Sequence, residues 1–176
     1  LAQQLYEEGH ITYMRTDSTR ISTVAQADSR EWVQKNLGAA FLPGIAPQYT
    51  KKSAQDAHEA IRPSSPQITA GQLPATISRD QQRLYELIWK RFIASQMKPA
   101  IFDTVTADIR AGKYGFRANG SVLRFPGFMA VYVETAENGN RDDNDKSLPP
   151  LTVGEELTAG EIRPVQHFTE PPPRFT

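Results

Sequence analysis

Ser78-Arg79-Asp80-Gln81-Gln82-Arg83-Leu84-Tyr85-Glu86-Leu87-Ile88-Trp89-Lys90-Arg91-Phe92-Ile93-Ala94-Ser95-Gln96-Met97-Lys98-Pro99-Ala100-Ile101-Phe102-Asp103-Thr104-Val105-Thr106-Ala107-Asp108-Ile109 changes its hydrophobic period midway, and that change decides the fold. Its first four residues read as a capping box. The Ser78 hydroxyl can accept from a helical N–H, and Gln81 can reach back to the cap. A helix over 79–97 follows, with Leu84, Leu87, Ile88 and Phe92 on one core-facing stripe. Lys98-Pro99 then ends it, because a proline disfavours helix for the residue before it. Beyond that point Phe102, Val105, Ala107 and Ile109 alternate as in a strand. The fold class expected is α+β: a mainly helical part over 1–98, then a mainly antiparallel β part over 99–176.

Working outward, Leu1 to Glu8 has a helical look and Gly9 ends it. Ser22 can cap a second helix to about Leu37, closed by Gly38, with Val24, Ala27 and Trp32 on its apolar side. Residues 39–77 hold five prolines and read as mostly irregular. Downstream, Lys113-Tyr114 turns the chain into a strand over Gly115–Phe125, and Phe128 to Glu134 suggests a third strand. Glu137 to Pro150 is a polar loop, whose acidic run reads as solvated rather than metal-binding. Leu157 to Phe168 is extended, and Pro171-Pro172-Pro173 favours a polyproline linker. No internal repeat is present.

With no cysteine among 176 residues, disulfides and Cys-type zinc sites are excluded. No apolar run approaches the roughly 20 residues that cross a bilayer, and no signal peptide is visible. The chain starts at Leu1 in mid-pattern, so we expect a piece of a larger protein. Net charge is zero, but it is unevenly spread. Residues 1–99 hold 12 Lys/Arg against 9 Asp/Glu, and residues 100–176 hold 8 against 11. The excess of basic residues is small, which suits a chain that grips a few phosphates rather than bulk nucleic acid.

Two segments carry chemistry. In Gly9-His10-Ile11-Thr12-Tyr13-Met14-Arg15-Thr16-Asp17-Ser18 a phenol stands two residues before a guanidinium. A phenol is a poor nucleophile at neutral pH, with an ordinary pKa of about 10. A guanidinium beside it can hold a phosphate in a planar fork and favour the developing phenolate. That pairing suits phosphoryl transfer through a covalent tyrosine ester. The same residues also read as a short strand, Ile11 to Met14, entering a turn at Asp17-Ser18, and most tyrosines simply pack at the rim of a core. The second segment is Ser53-Ala54-Gln55-Asp56-Ala57-His58-Glu59-Ala60-Ile61-Arg62-Pro63. Pro63 limits Asp56–Ile61 to a short helix at most. On such a turn Gln55, His58 and Glu59 share a face, with Arg62 at its end.

Ile-Thr-Tyr-Met-Arg-Thr-Asp-Ser followed by Gln-Asp-Ala-His-Glu-Ala-Ile-Arg-Pro closely resembles the bacterial topoisomerase I family of type IA DNA topoisomerases. The related topoisomerase III group differs around the Tyr and the His. The Leu84–Phe92 run and Phe125-Pro126-Gly127-Phe128 also sit where the family has similar stretches, so the resemblance covers essentially the whole chain. It implies that Tyr13 is the nucleophile joined to a DNA 5′-phosphate. Arg15 would contact the scissile phosphate, and His58 would help bind or position the cleaved strand. Thr16, Asp17, Ser18 and Arg62 would line the DNA site, and Gln55, Asp56 and Glu59 would support it.

The resemblance implies a tyrosine-bearing domain over 1–98 and part of the β-rich arch of the type IA torus over 99–176. It implies ATP-independent cleavage of one strand, strand passage and religation, relaxing negative supercoils. The expected partners are single-stranded or negatively supercoiled DNA and the remaining domains of the same chain. A monomer in the bacterial cytoplasm, at the nucleoid, without membrane contact, is expected. Magnesium would be held by an upstream acidic domain, with no metal site or cofactor in these residues, so this chain alone is expected not to cleave DNA. The residues leave two other classes open. One is a non-enzymatic single-stranded nucleic-acid-binding module using Arg15, Arg62 and exposed aromatics. The other is a tyrosine phosphodiesterase or recombinase, which needs His pairs or several arginines around the tyrosine, where only Arg15 and His58 are evident.

Overall fold

The computed structural model describes residues 1–16, 18–49, 59–133, 148–161, 163–166 and 168–169. Among them are three α-helices, α1 (Ala2–Glu7), α2 (Thr23–Asn36) and α3 (Arg79–Ser95), and two strands, β1 (Ile101–Ala111) and β2 (Tyr114–Phe125). Short 3₁₀ turns lie at Ala39–Phe41, Ala70–Gln72 and Gly127–Ala130. All three α-helices precede Lys98 and both strands follow it, so the α+β expectation holds.

The helix ends follow the cap chemistry in the sequence. The Ser22 hydroxyl accepts from the Ala25 N–H at 3.3 Å, and α2 begins there. Ser78 and Gln81 form the reciprocal box, with the Gln81 side chain accepting from the Ser78 N–H at 2.9 Å. Gly9 closes α1 at φ 76°, a conformation that side-chain-bearing residues rarely adopt. There the Gly9 and His10 N–H groups return to the Tyr6 and Leu5 carbonyls at 2.9 and 2.8 Å.

Of the expected α3 stripe, Phe92 is buried and Leu84 and Ile88 pack partly buried against the core, whereas Leu87 is 45% exposed; the centre of the buried face is Tyr85, Trp89, Phe92 and Ile93. The reason lies in the irregular segment laid across this helix. The Tyr85 hydroxyl donates to the Ile68 carbonyl at 2.7 Å and the Trp89 indole N–H donates to the Pro66 carbonyl at 2.9 Å. Large aromatic bodies are buried while their polar tips satisfy loop carbonyls that would otherwise lack partners. On α2 the inward face is Ala25, Gln26, Ser29 and Val33, not Val24 and Ala27, which are exposed. Gln26 donates to the Pro47 carbonyl and Arg30 to the Pro43 carbonyl, at 2.7 and 2.8 Å, so this face holds the proline-rich loop as well as the core. Trp32 does pack as expected, edge-to-face on Trp89 with ring centroids 4.8 Å apart.

The strands form one antiparallel hairpin, turning at Gly112–Lys113 rather than at Lys113-Tyr114, with Ala107 opposite Ala118. Alternation puts Val105, Ala107 and Ile109 with Phe116, Ala118 and Val122 on one face. The other face carries Thr106 bonded to Asn119 at 3.0 Å and Arg117 paired with Asp108 at 2.7 Å.

The third strand expected over Phe128–Glu134 does not form in the described residues. Pro126 has no N–H for a ladder, and Gly127 turns the chain at φ 48° into the 3₁₀ turn. Phe128 then donates its N–H to the Lys98 carbonyl at 2.9 Å, which ties the hairpin root to the end of α3. Phe41 meets Phe125 beside it at 5.0 Å between centroids. The described residues of 157–168 make no strand. The polar loop from Glu137 lies outside the described residues up to Ser147 and from Leu148 is described, and Pro171, Pro172 and Pro173 lie outside them.

Candidate functional site

The Gly9 turn sends the chain from α1 directly into the first chemical segment, and residues 60–64 of the second segment pair with it. Ile11 forms an antiparallel bridge with Pro63. The Thr12 N–H donates to the Arg62 carbonyl at 3.0 Å, and the Ser64 N–H donates to the His10 carbonyl at 2.9 Å. Pro63 sits where the bridge calls for no N–H, so proline is tolerated there. The Ser64 hydroxyl adds a bond to the Gly9 carbonyl at 2.6 Å. Two stretches some fifty positions apart in sequence are thereby fixed side by side, with Ile11 2% exposed beneath them.

Tyr13 emerges from this ladder half-buried, its ring edge-on to Tyr6 at 5.8 Å and 89°. Arg15 and Thr16 are exposed. Ser18 is buried and its hydroxyl accepts from the Arg20 N–H at 3.2 Å, so it shapes the turn from inside. The strand expected over Ile11–Met14 is reduced to the single bridge at Ile11. The short helix expected over Asp56–Ile61 is absent from its described part, because residues 59–62 run extended against Thr12. Asp17, Gln55, Asp56 and His58 lie outside the described residues.

Glu59 and Arg62 form a two-pronged pair, with Nε to Oε1 at 3.0 Å and Nη2 to Oε2 at 3.1 Å. Arg62 Nη1 also donates to the Pro63 carbonyl at 3.0 Å. The guanidinium fork is therefore engaged within the turn, as a brace. Glu59 Oε1 accepts from the Ser22 N–H at 2.8 Å, and the Ala60 N–H donates to the Arg20 carbonyl at 2.7 Å. The second segment is thus tied to the start of α2 as well as to the Tyr13 strand. Partial burial pushes the Glu59 carboxyl up. The Arg62 hydrogen bonds, the Ser22 N–H and the Arg62 charge together outweigh it and hold the group below the ordinary glutamate value.

Sequence reasoning passed over three residues of this bracket: Thr12, Ser22 and Ser64. Thr12 lay inside the first segment and Ser22 was read only as a helix cap. The long-range bonds of all three have no signature in local spacing. Among the described residues no group of three or more His, Cys, Asp or Glu is placed to hold a metal ion. No described helix is long and apolar enough to cross a membrane.

A sequence-family model described as DNA topoisomerase matches residues 1–176. Full-length topoisomerase I from Thermotoga maritima, solved in a monoclinic crystal form, is similar at 35% identity with a TM-score of 0.65. That match covers 84% of this chain and 24% of the Thermotoga chain, so the present residues span about a quarter of that protein's length.

Proposed function

The chain belongs to the bacterial DNA topoisomerase family, and on that premise we propose that it carries the type IA strand-cleaving tyrosine, Tyr13. The pairing of residues 9–12 with residues 60–64 carries this reading. It sets the segment that leads into Tyr13 beside the residues that follow His58 in the sequence.

In the proposed reaction a single DNA strand crosses Tyr13, with the exposed Arg15 guanidinium on the scissile phosphate. The phenolic oxygen attacks phosphorus in line and loses its proton. The P–O3′ bond breaks and the 3′ oxygen leaves, taking up a proton. The 5′-phosphate stays on Tyr13 as a phosphodiester, so resealing runs the same steps backward and needs no ATP. Arg15 supplies positive charge where it develops on the phosphoryl oxygens. His58 positions the strand, Thr16 and Asp17 line its path, and Gln55 and Asp56 support the site. Ser18, Glu59 and Arg62 act from behind by fixing the turns.

The described donor set does not fit a metal ion, so no step here runs through magnesium. Magnesium belongs, in this proposal, to other parts of the complete protein. Residues 1–98 form the tyrosine-bearing domain and 99–176 part of a β-rich arch. The complete protein works as a cytoplasmic monomer at the nucleoid, relaxing negatively supercoiled DNA.

The test is label transfer from a 3′-labelled single-stranded oligonucleotide with magnesium. It is run on this chain, on the chain extended by its native upstream region, and on the extended chain with Tyr13→Phe. We expect covalent label on the extended protein only, and none on Tyr13→Phe. Strand binding with no covalent label on any of the three would put the non-enzymatic binding module in front. Undiminished labelling of Tyr13→Phe would remove Tyr13 as the nucleophile.

A further inference from the structure

Thr12 is built into both sides of the ladder beneath the reactive tyrosine. Its N–H donates to the Arg62 carbonyl, and its hydroxyl donates to the Ala60 carbonyl at 2.9 Å. The same hydroxyl accepts the return bond from the Arg62 N–H at 3.1 Å. One side chain therefore fixes two alternate residues of the second segment, Ala60 and Arg62, from a half-buried position. Valine would match threonine in shape and β-branching, but it would leave a carbonyl and an N–H without partners. The peptide bond after Thr12 is the one that carries Tyr13. With Ile11 buried behind it and the Tyr6 ring against the phenol, little backbone freedom remains for Tyr13.

We propose that Thr12 is a positioning residue for the Tyr13 reaction. Its hydroxyl staples the segment that bears Tyr13 to Ala60 and Arg62, so that the phenolic oxygen keeps one register with the Glu59–Arg62 pair. This rests on the reading of Tyr13 as nucleophile. In-line attack needs the reacting atoms about 3–3.5 Å apart and aligned, and a misplacement near 1 Å costs about a hundredfold in rate. A staple one residue from the nucleophile acts on that alignment, not on affinity for DNA.

The experiment uses the complete protein with magnesium and a 3′-labelled single-stranded oligonucleotide. Thr12→Val, Thr12→Ser and Tyr13→Phe are compared for strand Kd, for the rate of covalent adduct formation at saturating strand, and for thermal midpoint. Rates are read well below each midpoint, so that a stability loss does not pass for a rate loss. For Thr12→Val the expected result is adduct formation slowed about 10- to 100-fold, with Kd little changed. Thr12→Ser, which restores the hydroxyl, returns the rate to near that of the parent. If Thr12→Val does not fold, Thr12→Ala carries the same comparison. A parental rate in the hydroxyl-free variant would overturn the proposal, as would a Thr12→Ser rate as slow as Thr12→Val. Adduct formation by Tyr13→Phe would instead overturn the reading of Tyr13, whatever the Thr12 variants do.

Discussion

Glu59 holds its carboxylate where three segments meet: the Arg62 turn, the Ser22 cap and, through its neighbour Ala60, the Arg20 backbone. Because its pKa is lower folded than unfolded, the contribution is complete above the ordinary glutamate value. It is lost as pH falls from there through the depressed value. Unfolding by urea from pH 7 down to pH 3 should therefore show the parent chain losing more stability below about pH 4.3 than Glu59→Gln does. At neutral pH Glu59→Gln should cost about 1–2 kcal/mol, since Arg62 keeps its charge without a carboxylate. Equal acid sensitivity in the two would show that the pair contributes little. Tyr85 sets the alkaline side. Burial pushes its hydroxyl up to about 12, so its contribution is complete below about pH 10 and declines as pH rises toward its folded value. Tyr85→Phe should cost about 1 kcal/mol at pH 7 by leaving the Ile68 carbonyl unpaired. It should also flatten the alkaline limb of the stability profile.

At the scale of elements, the root of the hairpin is where the backbone tolerates least. Gly127 stands at φ 48°, and a Cβ there would lie 2.4 Å from the Pro99 carbonyl oxygen and 2.6 Å from that of Lys98. Both neighbours are backbone, so neither can swing aside. Gly127→Ala should cost on the order of 3 kcal/mol from strain and clash together, read by urea unfolding. Faster hydrogen exchange at the Phe128 N–H should accompany it. A loss below about 1 kcal/mol would mean that the root relaxes freely. Nothing in Phe125-Pro126-Gly127-Phe128 announced this contact, and the alternation read beyond it as a third strand was overridden by it. The helix starts were legible because Ser22, Ser78 and Gln81 act within one turn of themselves. The buried faces were less so. Leu84, Ile88 and Phe92 do meet the core, but Leu87 outranks Tyr85 and Trp89 by hydrophobicity and still stays outside, because the aromatics have polar tips and a loop waiting with carbonyls. The ladder between residues 9–12 and 60–64 was invisible to spacing, since its bonds cross a proline-rich segment. The two motifs supplied the residues proposed to react, but not Thr12, Ser22 and Ser64, whose bonds tie the described parts of the two segments together.

For the whole molecule, the proposed function asks how a chain of zero net charge would grip DNA. Residues 1–99 carry an excess of three basic groups, and the structure divides the two site arginines between different tasks. Arg15 is exposed, whereas the Arg62 fork is occupied by Glu59 and the Pro63 carbonyl. A single-stranded ligand releases counterions for each phosphate neutralised, giving a slope of about −0.7 per contact in log K against log salt. Binding of a single-stranded oligonucleotide to this chain should therefore be weak, with a shallow slope on the order of −1 to −2. Arg15→Ala should reduce that slope in magnitude by about 0.7 and leave the unfolding midpoint nearly unchanged. Arg62→Ala should do the reverse, lowering the midpoint while the slope stays, because its charge is spent inside the turn. Fluorescence anisotropy across a salt series, beside urea unfolding of the same variants, separates the two. If Arg62→Ala flattened the slope as Arg15→Ala does, Arg62 would have to exchange Glu59 for a phosphate on binding. The brace behind Tyr13 would then open whenever a strand arrived.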